Sequence, residues 1–199
     1  MGLSQTPQAL VPAAFTSGGM TLIEETVASS NSSISFSSIP GTYKQLMLVW
    51  NGIYHSTSST LFSLRFNSSS SAIYNGLTHY NNASSTAGSV VGEYDTAGTY
   101  VASGADGGVF GNTAVSSTPK NYNRGWFLID NYSSTTKFKN YKTEFSHSKE
   151  VVYTPVFCYR SIGSWGSTSA ITSLDIVRIS GSATLNNVSD TSIRLYGIS

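Results

Sequence analysis

Charged side chains are scarce in this chain of 199 residues. Asp, Glu, Lys and Arg make up 11% of it, whereas typical soluble domains carry about 25%. The 11 basic and 10 acidic residues nearly cancel, so the formal net charge is +1. Because binding to phosphate backbones depends on clustered Lys and Arg, the sequence argues against nucleic acid as the main ligand.

Cysteine and long apolar runs are also nearly missing. The single cysteine, Cys158, has no partner within the chain, which excludes an intramolecular disulfide framework. No segment approaches the roughly 18 consecutive apolar residues of a membrane span. The first basic residue is Lys44, so the sequence does not begin like a secretory signal. We therefore expect no membrane partner.

Helix signals are absent as well. No window of a dozen residues repeats apolar side chains at spacings of three and four, and Ala, Leu, Glu and Lys are sparse. The sequence therefore predicts a chain built from strands and turns.

Recognisable catalytic and metal-binding motifs are lacking too. The three histidines (His55, His79 and His147) do not show the spacing of two or four residues that metal-binding pairs favour, and no Gly-x-Ser-x-Gly motif occurs. We therefore expect no metal, no cofactor and no enzymatic activity. A glycan-cleaving enzyme is a weaker alternative, which would need two facing carboxylates. The candidates for such a pair are Glu93, Asp95, Asp130, Glu144 and Asp175.

Small polar residues replace the missing charges. Ser, Thr, Asn and Gly make up about 45% of the chain, well above their usual share. A surface of hydroxyls and amides is neutral and can pack against neighbours without desolvating ions, which suits crowded assemblies or proteins that face carbohydrate. The 12 Tyr, 9 Phe and 3 Trp supply more apolar area than disordered chains carry, so we expect a folded domain.

Strand patterns recur along most of the sequence. Residues 61–67 alternate apolar and polar side chains, as a half-buried antiparallel strand does. Five consecutive apolar residues in 46–50 predict a central strand covered on both faces. A change of apolar phase within 170–180 predicts a β-bulge or a corner. The predicted strands are 21–28, 32–38, 43–53, 61–67, 88–94, 125–131, 136–147, 151–160, 170–180 and 191–198.

The predicted fold class is all-β, an antiparallel, jelly-roll-like β-sandwich of about eight to ten strands. Residues 20–199 form a single domain, with a long loop excursion at 81–120 where Gly, Ala, Ser and Thr dominate. Residues 1–19 do not fit the strand pattern and are expected to form an extended N-terminal assembly arm. Its apolar contacts would come from Leu3, Leu10, Val11 and Phe15.

Aromatic and basic side chains in turn-rich segments are candidates for binding a glycan or a protein partner. Tyr and Trp grip both sugar rings and protein surfaces. The alternative is that these rings cover the edge of the core. The candidate contacts, which we expect in loops at 81–120 and 160–170, are Tyr94, Tyr100, Arg160 and Trp165.

Four segments carry a resemblance to a known group of proteins. They are 38–46 (SIPGTYKQL), 64–67 (LRFN), 171–174 (ITSL) and the ending 192–198 (SIRLYGI). Together they resemble small virion structural proteins of tailed bacteriophages. In similar proteins a glycine turn usually follows the Arg-Phe-Asn strand, whereas here four serines, 68–71, take its place.

The resemblance implies a β-sandwich or jelly roll on the particle surface, often trimeric, in a head decoration (cement) protein or the distal part of a tail fibre. We therefore expect a non-enzymatic virion component, assembled in the host cytoplasm, that forms a homotrimer and docks on capsid or tail proteins. The alternative is a carbohydrate-binding adhesin of the phage tail that recognises a host surface glycan.

Overall fold

The computed structural model describes residues 19–55, 61–71, 73–82, 89–96, 123–147, 157–180, 184–187 and 191–199. Over these ranges the chain forms twelve β-strands and no helix, which confirms the predicted all-β class. The strands are β1 (Met20–Thr26), β2 (Ser33–Phe36), β3 (Gln45–His55), β4 (Leu61–Phe66), β5 (Tyr74–Asn82), β6 (Ser89–Thr96), β7 (Asn123–Asp130), β8 (Lys139–His147), β9 (Phe157–Trp165), β10 (Leu174–Ser180), β11 (Leu185–Asn187) and β12 (Ile193–Ile198).

Two antiparallel sheets of unequal size form a sandwich, as predicted. The large sheet has the strand order β1-β12-β3-β7-β8-β9-β5-β6, and β11 also pairs with β3. The small sheet has the order β2-β10-β4. The inner face of the large sheet carries buried aliphatic residues on β12 and on most of β3, and buried aromatic residues on β8, β9 and β5.

Phe66 of β4 is the centre of the core between the two sheets. Its ring lies 5.5 Å from Trp165, 5.6 Å from Tyr74, 6.2 Å from Tyr141 and 6.3 Å from Phe127, measured between ring centroids. These partners come from the large sheet and are buried. Burial of several large rings around one residue supplies much of the hydrophobic stabilisation of the sandwich.

A glycine in β9 lets one of these rings lie flat on the sheet. A Cβ atom at Gly163 would come within 2.3 Å of both the Tyr141 ring and the Asn75 carbonyl oxygen. The Tyr141 hydroxyl donates to that same carbonyl at 2.9 Å. The close approach therefore requires glycine at this position.

The segments that carry the phage-like resemblance meet one another at the turns. The Ile39 amide donates to the Thr172 carbonyl at 3.0 Å, and the Lys44 amide donates to the Ile198 carbonyl at 2.8 Å. The Asn67 amide likewise donates to the Ser173 carbonyl at 3.0 Å. These hydrogen bonds hold the framework together at its turns.

A lysine is buried at the start of β8. The Lys139 side chain is fully buried, and its ammonium group donates to the carbonyl oxygens of Ser134, Lys137 and Thr168 at 2.5, 3.0 and 2.8 Å. The same nitrogen lies 5.9 Å from the centre of the Trp165 ring. Three acceptors compensate the loss of water around the charge.

The observed strands differ from the predicted ones at several boundaries, and most clearly in three places. Strands β5 and β11 were not predicted, and β9 extends to Trp165 instead of ending at 160. Part of the predicted excursion at 81–120 is strand: β5 ends within it and β6 lies inside it, as the prediction at 88–94 indicated. Residues 83–88 and 97–120 of the excursion, and residues 1–18 of the arm with all four of its predicted contacts, lie outside the described residues.

Two finer predictions about individual strands have different outcomes. The register of β10 against β4 shifts between Arg178 and Ser180, which confirms the irregularity predicted from the apolar phase. In β3, Leu46 and Leu48 are buried, but Met47 and its outward neighbours are only half-buried. The prediction that this strand is covered on both faces is therefore wrong for a single copy of the chain.

Candidate interaction surface

The outer face of the large sheet carries a continuous line of mostly apolar residues. Each is the direct cross-strand partner of the next, so the line crosses seven neighbouring strands from β1 to β5. We call it the apolar row; its members, in spatial order, are Leu22, Tyr196, Met47, Leu128, Lys142, Ile162 and Leu77.

The apolar row is uncovered in a single chain. Ile162 is 61% exposed, Leu22 48% and Leu77 46%. Tyr196, Met47 and Leu128 are half-buried by their neighbours. Scattered exposed aliphatic side chains need no explanation, but an aligned set that spans a sheet is typical of an interaction site.

A second line of outward residues runs beside the apolar row and holds most of the charge. We call it the charged row; its members are Glu25, Arg194, Val49, Trp126, Glu144, Arg160 and His79.

Two ion pairs lie in the charged row. Arg194 Nε lies 2.9 Å from Glu25 Oε1, and Arg160 Nε lies 3.1 Å from Glu144 Oε2. All four side chains are well exposed, so the pairs add little to the stability of the fold. Their effect is to leave this part of the face without excess charge of either sign.

Two of the shallow depressions on this face lie beside Leu77 and Ile162. One, of about 340 Å³, is lined by Leu77, Ile162 and Trp126 together with the Glu144–Arg160 pair. The other, of about 570 Å³, shares Leu77 and Ile162 and adds polar groups from Asn75, Asp130 and Asn140. Both are open to solvent along the sheet, so they suit contact with a broad partner better than enclosure of a small substrate.

The predicted contact residues do not come together as one site. Arg160 is exposed and paired with Glu144, but it lies in β9 and not in a loop. Tyr94 lies in β6, and its side chain is outside the described residues, as is all of Tyr100.

The prediction that Trp165 is an exposed contact is wrong. This side chain is 3% exposed on the inner face of the large sheet, where its ring stacks on Tyr74 at 6.2 Å. The reason is register: Trp165 lies directly opposite Tyr74 and Lys139, so it shares their inward orientation. For Trp165, the alternative that such rings cover the core is the correct one.

Residues that the sequence reasoning did not single out carry the surface. Leu22, Leu77, Ile162 and Trp126 were not proposed as contacts. The available signal was the outward phase of apolar residues in otherwise polar stretches such as YNGLTHYNN. That signal becomes informative only when the strand register aligns these residues.

Several acidic candidates for catalysis are engaged in structural contacts. Asp130 accepts a short hydrogen bond from Gln45, and Glu144 is paired with Arg160. Asp175 is buried and accepts hydrogen bonds from the Ser68 amide and hydroxyl, both at 3.0 Å. These three carboxylates therefore have fold-related partners; the side chains of Glu93 and Asp95 lie outside the described residues.

Nucleophilic and metal chemistry find little support on this face. Burial, and next the charge of Glu144, raise the pKa of the Cys158 thiol, so the unreactive thiol form prevails at neutral pH. Across the described ranges, no three His, Cys, Asp or Glu side chains are grouped as metal ligands. The same ranges contain no helix with the length and hydropathy to cross a membrane.

Comparison with protein-family models, curated proteins and solved structures found nothing that matches this chain.

Proposed function

We propose that this protein is a non-enzymatic structural component of a bacteriophage virion. It associates with copies of itself, as a homotrimer, and docks on capsid or tail proteins at the particle surface. The observation that carries the proposal is the apolar row, an uncovered line of residues across seven strands of one rigid sheet.

The physical properties of the chain support an assembly role. A sheet face keeps its shape on binding because its backbone is hydrogen-bonded on both sides, so little ordering cost opposes association. The net charge of +1 spread over 199 residues limits repulsion between copies packed closely. The segments that carry the phage-like resemblance are joined by backbone hydrogen bonds at the turns, as expected of a rigid subunit.

The test is to locate the chain in purified particles of the virus that encodes it. Mass spectrometry should detect it at a stoichiometry of many copies per particle. Density from electron cryomicroscopy should place the two-sheet sandwich on the outside of the head or the tail. Absence of the chain from purified, infectious particles would refute the proposal.

A second candidate function is an adhesin that binds a host glycan. It is favoured by the smaller depression, where the half-buried Trp126 lies beside the Glu144–Arg160 pair. An aromatic ring with neighbouring charged hydrogen-bonding groups suits a sugar ring and its hydroxyls. A glycan array tests this candidate: specific binding that is lost in Trp126→Ala would favour it, and a silent array would remove it.

A further inference from the structure

The two central strands of the large sheet have sequences suited to burial on both faces. Strand β3 contains the run Leu-Met-Leu-Val-Trp, and β7 contains Trp-Phe-Leu-Ile. Such continuous apolar runs are typical of strands covered on both sides, whereas a sheet with one wet face alternates apolar and polar residues. In one copy of the chain only the inner half of each run is covered. These sequences therefore point to a missing cover on the outer face.

The size of the outer face matches the needs of a stable protein interface. Seven strands that each occupy about 4.8 Å extend about 34 Å, and three rows of outward residues that each occupy about 6.7 Å extend about 20 Å along the strands. The projected area is then roughly 700 Å², and the accessible area of the uneven surface is larger. A standard stable interface takes about 800 Å² from each partner, so this face is sufficient for one.

The charges of this face are balanced. The face consists of the apolar row, the charged row and a third row that contains Gln45 and its cross-strand partner Asp130. The acidic side chains of these rows are Glu25, Glu144 and Asp130, and the basic ones are Arg194, Arg160 and Lys142. A strongly charged partner would meet no opposite field here. A second copy brings the same balanced set, so each acidic group can be placed against a basic group of the other copy.

We propose that the outer face of the large sheet is covered by neighbouring copies of this chain in the homotrimer, with the apolar row of each copy buried in the contact. This inference rests on the proposed function and names the surface that mediates self-association. The aliphatic groups of Leu22, Leu77 and Ile162 favour this occupant over a glycan, because they offer no hydrogen bonds to hydroxyl groups.

The experiment measures the mass and the dissociation constant of the full chain by sedimentation equilibrium. Unmodified protein should associate at micromolar concentration, and the fitted mass gives the number of copies. The double variant Leu77→Thr/Ile162→Thr keeps strand-forming residues but removes apolar surface from the row. It should weaken association at least tenfold, with a melting temperature close to that of the unmodified protein.

Two controls separate this surface from others. Val27 is 61% exposed, as Ile162 is, but lies outside the apolar row, so Val27→Thr should leave the dissociation constant unchanged. The variant Leu10→Ser/Phe15→Ser tests the N-terminal segment as the contact. Loss of association in this variant but not in Leu77→Thr/Ile162→Thr would overturn the proposal.

Two further outcomes would also overturn it. One is a monomer at every concentration up to about 100 µM, well above the micromolar range expected of standard interfaces. The other is association that the row variant leaves unchanged. A persistent monomer would also refute the homotrimer, but neither outcome refutes a place in the virion, which fails only if the chain is absent from particles. A self-associating chain that is absent from particles would refute the function and leave this inference standing.

Discussion

The side chain of Asn67 binds the backbone of Thr172 across the end of the sandwich. Its Oδ1 accepts the Thr172 amide at 2.8 Å and the Ser173 amide at 3.2 Å, while its Nδ2 donates to the Ala170 carbonyl at 2.7 Å. Asn67 also has a φ of 52°, a left-handed conformation that Asn tolerates better than most residues. One residue therefore ends β4 and fixes the chain that leads into β10.

The first prediction concerns this residue. Asn67→Ala should lower the free energy of unfolding by about 2–4 kcal/mol, because it leaves backbone groups without partners and places Ala at positive φ. Asn131 is the matched control: its φ is 56°, and its side chain makes no hydrogen bond within the described part of the chain. Asn131→Ala should cost about 1–2 kcal/mol, the backbone strain alone. Equal losses in urea denaturation would show that the Asn67 hydrogen bonds do not matter.

The second prediction concerns the contact between Tyr43 and the last strand. A Cβ at Gly197 would lie 2.2 Å from the Tyr43 ring, so Gly197→Ala must displace the ring and should cost about 2–4 kcal/mol. At Gly41 the nearest atom to a new Cβ is 3.8 Å away, and Gly41→Ala should change stability by less than about 1 kcal/mol. Thermal denaturation of both variants checks this; similar melting temperatures would contradict it.

The third prediction concerns Lys139. Lys139→Met should lower the free energy of unfolding by about 2–4 kcal/mol, because three carbonyl groups lose their charged donor. Lys137, two residues earlier, has an exposed side chain, so Lys137→Met should be nearly neutral. Chemical denaturation at neutral pH measures both; a neutral Lys139→Met would mean that these carbonyls are readily hydrated.

The fourth prediction concerns alkaline pH. Burial raises the pKa of Tyr74 to about 12, and its hydroxyl donates to the Ser69 carbonyl at 3.3 Å. Since an unfolded tyrosine ionises near pH 10, the folded state keeps this proton while the unfolded state releases it. Stability contributed by Tyr74 is therefore complete below about pH 10 and falls as the pH rises towards 12, by about 2–3 kcal/mol in total.

The check is to measure unfolding free energy between pH 9 and pH 11.5. The unmodified protein should lose stability more steeply than Tyr74→Phe over this interval. At pH 9 the variant should have the lower free energy of unfolding, because it lacks the hydrogen bonds of the hydroxyl group. Burial raises the pKa of Tyr141 as well, so some slope should persist in the variant. Parallel curves for the two proteins would contradict the assignment to Tyr74.

The strands that the sequence predicted poorly are those whose formation depends on neighbours. The segment of β5 contains Asn75 and Gly76 and ends in two more asparagines, residues of low strand propensity. It is a strand because β9 and β6 pair with it on both sides. The late part of β9, Arg-Ser-Ile-Gly-Ser-Trp, has the composition of a turn. Its glycine, Gly163, is needed because the Tyr141 ring from β8 lies against the backbone there.

The interaction surface was hidden from sequence reasoning for a related reason. Local alternation shows that Leu77 and Ile162 share the outward phase of their own strands, but not that the two lie opposite each other. That alignment depends on the pairing of Leu77 with Ile162, which lie 85 positions apart in the chain. No local sequence pattern encodes such a pairing. The run in β3 did contain the relevant signal: it predicted cover on both faces, and a single copy supplies only one.

The most direct test of the assembly surface is oxidative footprinting of the full chain at increasing concentration. Met47 and Trp126 are reactive side chains on the outer face, and Phe138, which is 58% exposed, lies outside both rows. Oxidation of Met47 and Trp126 should fall several-fold as concentration rises through the micromolar range, while that of Phe138 stays constant. Oxidation of Met47 and Trp126 that is independent of concentration would show that the outer face stays open to solvent, and would contradict the account.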